Sequence, residues 1–117
     1  MKRNEITEND IIDVLVTALE GGSNYWYFLP DLSMVKEIGT NGKAISENVA
    51  ISALNGATIP VHDTENEECF LGSINKENIE RGITLFIQND YEFEPDMDAS
   101  DADTLFQYIV LGEIVFG

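Results

Sequence analysis

The chain is poor in the residues that most often carry chemistry or cross membranes. Its 117 residues include one cysteine, one histidine, three prolines and only six lysines and arginines. Cys69 alone makes an intrachain disulfide impossible, and one cysteine with one histidine falls short of the four ligands of a structural zinc site. Apolar runs such as Val14-Leu15-Val16 and Ile109-Val110-Leu111 are far below the roughly 20 residues of a membrane-spanning helix. The opening Met1-Lys2-Arg3-Asn4-Glu5 leads into an acidic helix start and not an apolar stretch, so no secretory signal is expected. These absences point to a cytoplasmic protein with no membrane contact, and nothing in the chain calls for a cofactor.

Acid is what the chain has in excess. Twenty-two Asp and Glu give a formal net charge of −16, and residues 63–117 hold 14 of those acids against Lys76 and Arg81 alone. A field of that sign repels nucleic-acid phosphates and attracts basic partners toward the second half. Direct nucleic-acid binding is therefore not expected, whereas a basic protein partner is. The plainer role of the same acidity is to keep a small oligomer soluble.

Hydrophobic periodicity organises the chain around Asp10–Trp26. Asp10, Asp13, Thr17 and Glu20 form one narrow polar stripe on a helix whose other positions, from Ile11 to Leu19, are almost all apolar. Thr7 with Asp10 predicts a capping box, so the helix is expected from Glu8 to Glu20, closed by a left-handed Gly21 or Gly22. Ser23 would cap a turn carrying Tyr25, Trp26 and Phe28 back onto that helix. Further helices are expected at Asp31–Ile38, Ser46–Leu54, Lys76–Gln88 with a Glu77–Arg81 pair, and from Ser100 through Leu111. The first of these, Asp31–Ile38, should stop at Gly39 and the turn Thr40-Asn41-Gly42-Lys43. Between them the period drops to two at Ile59 and Val61, an edge strand because of Pro60, paired with a strand over Glu68–Ile74 across an acidic tip. Gly82 inside a helix implies close approach of another backbone or a shorter helix. The expected fold is a single α+β domain over 1–117, mostly helical, with about five helical segments and one small antiparallel hairpin.

No pattern of catalytic residues stands out. His62 and Cys69 flank the hairpin tip beside Asp63, but no oxyanion or nucleophile-elbow motif accompanies them. Asp96–Asp103 repeats oxygen side chains as a calcium loop does, yet Asp101 stands where that loop needs glycine and Gln107 where it needs glutamate. Those carboxylates are explained by a helix start, and no metal site is assigned. Gly21-Gly22 follows a helix, unlike the phosphate-cradling loops that follow a strand. Gln107, the one amide in an apolar run, must be satisfied if buried, by backbone or by Tyr25 or Trp26. Glu20, Tyr25, Trp26 and Gln107 are the residues that would line a ligand pocket near the Gly-Gly/Tyr-Trp stretch.

Several of these stretches resemble a group of small proteins from bacteriophages and prophage-like elements. They are Ala18-Leu19-Glu20-Gly21-Gly22 with Tyr25-Trp26, a hairpin ending near Leu71, Gly82, and the end Asp103, Gln107, Gly112-Glu113-Ile114-Val115-Phe116-Gly117. The resemblance implies a phage-related origin and a cytoplasmic setting, and no activity. Two functional readings follow from the sequence. One is a non-catalytic acidic interaction module, and the other is a binder of a small, nucleotide-like molecule, or an enzyme, using the pocket just described. Two helices apolar nearly all round, with an apolar end, also predict a homodimer that hides the excess apolar surface.

Overall fold

The structure, a computed structural model, describes residues 1–36 and 45–117. The first helix, α1 (Glu8–Thr17), opens on the expected capping box: Thr7 Oγ1 accepts the Asp10 N–H at 3.2 Å and the Asp10 carboxylate accepts the Thr7 N–H at 2.9 Å. Its end differs from expectation. The helix widens into a π turn over Ala18–Gly22, closed by the Ser23 N–H on the Ala18 carbonyl at 2.8 Å, and neither Gly21 nor Gly22 has a positive φ. Gly22 is small for another reason, since a Cβ there would overlap the Ala99 carbonyl.

The remaining elements are β1 (Tyr27–Phe28), α2 (Ile45–Leu54), β2 (Ile59–Asp63), β3 (Phe70–Ile74), α3 (Lys76–Gln88) and α4 (Ala99–Val110). The fold is α+β, with four α-helices and a three-stranded antiparallel sheet in the order β1-β2-β3 among the described residues. The expected Asp31–Ile38 helix is absent over its described part, residues 31–36. There Asp31 Oδ1 instead accepts the Ser33 N–H at 2.9 Å and the chain turns, while Ile38, Gly39 and the turn Thr40–Lys43 lie outside the described residues. The aromatic stretch supplies the strand that the hairpin reading lacked, because Tyr27 pairs with Asp63 and Phe28 with His62. β2 is thus the middle strand, not an edge. Pro60 is accommodated because β1 reaches only to His62, leaving β2 one neighbour at that position.

The core gathers around α4, where Ala102, Asp103 and every residue from Leu105 to Val110 are buried within one chain. Intrachain packing thus covers the helix that looked too apolar to stand alone. α3 crosses α4 at Gly82, where any side chain would run into the Ile109 backbone, so the close approach explains the glycine and α3 keeps its full length. Arg81 does not pair with Glu77. Its Nη2 donates to the Ile109 carbonyl at 2.6 Å, near the negative end of α4, and the ion pair of this region joins Arg3 Nε to Glu80 Oε2 at 2.9 Å. No described helix is long and apolar enough to cross a membrane.

Candidate functional site

Three of the four residues singled out for a pocket converge on one carboxylate. Asp103, read from the sequence as part of a helix cap, lies in the second turn of α4 and is buried. Its Oδ1 accepts from Ser23 Oγ and from Trp26 Nε1, each at 2.7 Å, and its Oδ2 accepts from the Tyr25 hydroxyl at 2.6 Å and from Gln107 Nε2 at 3.1 Å. The α4 cap is instead Asp98, whose side chain accepts the Asp101 N–H at 2.8 Å. Four neutral donors thus satisfy a buried anion, and charge-assisted bonds of this kind are stronger than neutral ones. The Tyr25 hydroxyl is pushed up to about 12 by burial and then by its bond to the Asp103 carboxylate. Ser23 does not cap the following turn with its side chain. Its carbonyl closes that turn, and its hydroxyl is fully buried and spent on Asp103.

Gln107 extends the network to the end of the sequence. Its Oε1 accepts the N–H groups of Val115 and Phe116 at 2.8 and 2.9 Å, and its Nε2 donates to the Phe116 carbonyl at 2.9 Å as well as to Asp103. Both amide hydrogens and both carbonyl lone pairs are thereby engaged, as a buried amide requires. The Phe116 ring stacks on Trp26, with centroids 5.1 Å apart and planes 11° from parallel. Trp26 also packs on Phe106 of α4, a contact that the expected docking on the first helix did not include, while the Tyr27 hydroxyl donates to the Leu19 carbonyl. An open cleft of about 470 Å³ lies over this network, lined by Gly22, Tyr25, Tyr91, Ala99, Ile114 and Phe116 among others.

Glu20 stands apart from the other three. It lines a second cavity of about 190 Å³ with Leu19, Tyr27, Leu29, Ser46 and Val49. The Ser46 hydroxyl there is buried and has no hydrogen-bond partner among the described residues. His62 and Cys69 do not face each other, because a bulge in the β2–β3 ladder sets His62 opposite Phe70, and its Nδ1 lies 2.6 Å from the Glu67 carbonyl.

A fourth feature, the acidic connector between α3 and α4, has an order that composition alone did not show. Asp90 takes a φ of 66° after the Asn89 C-cap, and the N–H groups of Asp90 and Tyr91 return to the Ile87 and Phe86 carbonyls at 3.1 and 3.2 Å. This is a Schellman closure, completed by the Tyr91 ring stacked on Phe86 at 4.9 Å. Beyond it Phe93 and Met97 are buried while Glu92, Glu94, Asp96 and Asp98 are exposed, with Pro95-Asp96 at the centre of a turn closed by the Met97 N–H on the Glu94 carbonyl at 3.1 Å. The alternation Tyr91-Glu92-Phe93-Glu94 was the readable signal for it. Among the described residues, Glu92 meets the Met1 ammonium at 3.5 Å, and Asp90, Glu94 and Asp96 have no ion pair.

No protein-family model, curated protein or solved structure matches the chain.

Proposed function

We propose that the protein is a non-catalytic interaction module of bacteriophage or prophage origin that works in the cytoplasm and engages a basic partner protein through its acidic second half. The observation that carries this reading is the connector 90–98, anchored by buried Phe93 and Met97, along which Glu92, Glu94, Asp96 and Asp98 are exposed. A run of exposed like charge with few cations near it repels itself, and a basic surface laid against it removes that repulsion and speeds encounter. The resemblance to small phage proteins supports an accessory role and names no reaction. The test is capture of partners from a bacterial lysate by the immobilised protein and by the Glu94→Lys/Asp96→Lys variant, at low and at high salt. Basic proteins held by the first at low salt and lost in the variant or at high salt support the reading. Retention of the same proteins by both forms counts against it.

A second reading rests on the cavity beside Glu20. An exposed carboxylate and a buried hydroxyl without a partner among the described residues, on one apolar pocket, would suit a small molecule carrying a donor group. A thermal-shift screen with nucleotides, sugars and divalent cations addresses it. Stabilisation of several degrees by one class, lost in Ser46→Ala, would favour this reading over the first.

A further inference from the structure

We infer that the groove formed by Trp26 and Gln107 is a recognition site for the segment Glu113–Gly117, and that it takes this segment from a second copy of the chain as well as from its own. The site has two parts with different roles. Gln107 reads backbone alone, bonding both N–H groups and the one carbonyl that Val115 and Phe116 present to it. Trp26 reads a side chain, the flat ring of Phe116. Together they recognise a short segment whose two successive N–H groups converge on one acceptor and which carries an aromatic residue at one position, whichever chain it comes from.

The segment is built to exchange. It leaves α4 through Gly112, whose φ of 78° marks a tight reversal, and a short hinge of this kind is where swapping between identical chains begins. Past the hinge, Ile114 is 46 % exposed and Val115 is 58 % exposed, beside Tyr25 at 49 %. The intrachain arrangement leaves Ile114 and Val115 about half uncovered. In a two-fold exchange each groove would hold the other chain's Phe116, and the two straps would cross with Ile114 and Val115 between the copies, giving those residues the cover they lack. Exchange competes with the chain's own segment, which acts at an effective concentration on the order of millimolar. It therefore grows with protein concentration, and with salt, which screens the −16 on each copy. This inference does not depend on the acidic connector having a partner.

The single tryptophan makes the exchange measurable. Phe116→Ala keeps the groove and loses the ring, while Trp26→Phe keeps the ring and carries no tryptophan. In a mixture of the two, Trp26 of the first variant is the sole reporter. Its emission should move toward that of the wild type as the second variant is added at raised salt. Should Trp26→Phe fail to fold, the peptide Gly-Glu-Ile-Val-Phe-Gly takes its place, with Gly-Glu-Ile-Val-Ala-Gly as the control that should produce no change. Light scattering should show a wild-type dimer that grows with concentration and is lost in Phe116→Ala. A wild-type mass that stays monomeric at the highest soluble concentration would overturn the inference. So would a dimer that Phe116→Ala leaves intact, or an equal emission change with the control peptide.

Discussion

The indole N–H of Trp26 donates to Asp103 Oδ1 at 2.7 Å, and the face of the same ring carries Phe116. One aromatic side chain thus joins the buried carboxylate to the strap that crosses it, and Asp103 becomes the residue on which the region depends. Asp103→Ala would leave the Ser23 hydroxyl, the Trp26 N–H and one Gln107 hydrogen unpaired in the interior, at about 1–3 kcal/mol for each buried group left unsatisfied. Urea unfolding should show a loss of about 3 kcal/mol or more. Asp103→Asn keeps one acceptor oxygen and should cost about half as much. A loss below about 1 kcal/mol for Asp103→Ala would mean that the four hydrogen bonds contribute little.

The Tyr25 hydroxyl gives the same network a pH signature. Its folded value is raised to about 12 from 10.0, by burial first and then by the bond to Asp103. The contribution is fully present below about pH 10, where the hydroxyl is protonated in both states, and is lost as the pH rises from there through about 12, because the unfolded chain ionises first. Tyr27 and Tyr108 are raised too, each mainly by burial. Tyrosinate absorbance should therefore show a late step near pH 12 that is missing in Tyr25→Phe, with stability in that window falling less steeply in the variant.

Asp90 holds a left-handed backbone conformation at the end of α3 that glycine adopts more readily. Asp90→Gly should raise stability by about 0.5–1 kcal/mol, measured by thermal or urea unfolding, while a β-branched residue there should lower it by about the same amount or more. The Schellman closure predicts this order of the two variants.

At Gly82 two effects oppose each other. Alanine improves the helix by about 1 kcal/mol, but its Cβ would run into the backbone of Ile109. Overpacking against backbone outweighs propensity, so Gly82→Ala should destabilise the protein by about 1–3 kcal/mol net. A stabilised variant would mean that α3 and α4 can separate without loss.

Much of the fold was readable where local signals and burial agree. α3 runs over the expected residues with Asn75 as its cap, and Thr7 opens α1 as its spacing with Asp10 predicts. The misses have a common cause in tertiary contacts that no local pattern encodes. A two-residue strand at Tyr27–Phe28 is too short to show a period and is defined only by its pairing with β2. Gly22 looked like a helix stop because the approach of Ala99 is invisible from its neighbours. Asp103 stands among carboxylates that suit a helix start, so its donors, which arrive from Ser23, Tyr25 and Trp26, could not be anticipated. Gln107 was legible as an amide needing partners, and it bonds backbone and lies 3.4 Å from the Tyr25 hydroxyl. The row of acids over 90–98 was legible in principle, since Phe93 alternates with Glu92 and Glu94, but Pro95 and the density of charge hide the alternation.

On the proposed function, placement of the carboxylates, and not the total charge, is what a basic partner recognises. Fluorescence anisotropy with a labelled lysine-rich peptide tests it by comparing two double charge reversals of equal net effect. Glu94→Lys/Asp96→Lys alters the connector, and Glu65→Lys/Glu67→Lys alters the β2–β3 tip, all four being exposed acids. The connector variant should lose at least tenfold in affinity, or about 1.4 kcal/mol, and the tip variant much less. Equal losses in the two would contradict it, because net charge alone would then account for binding.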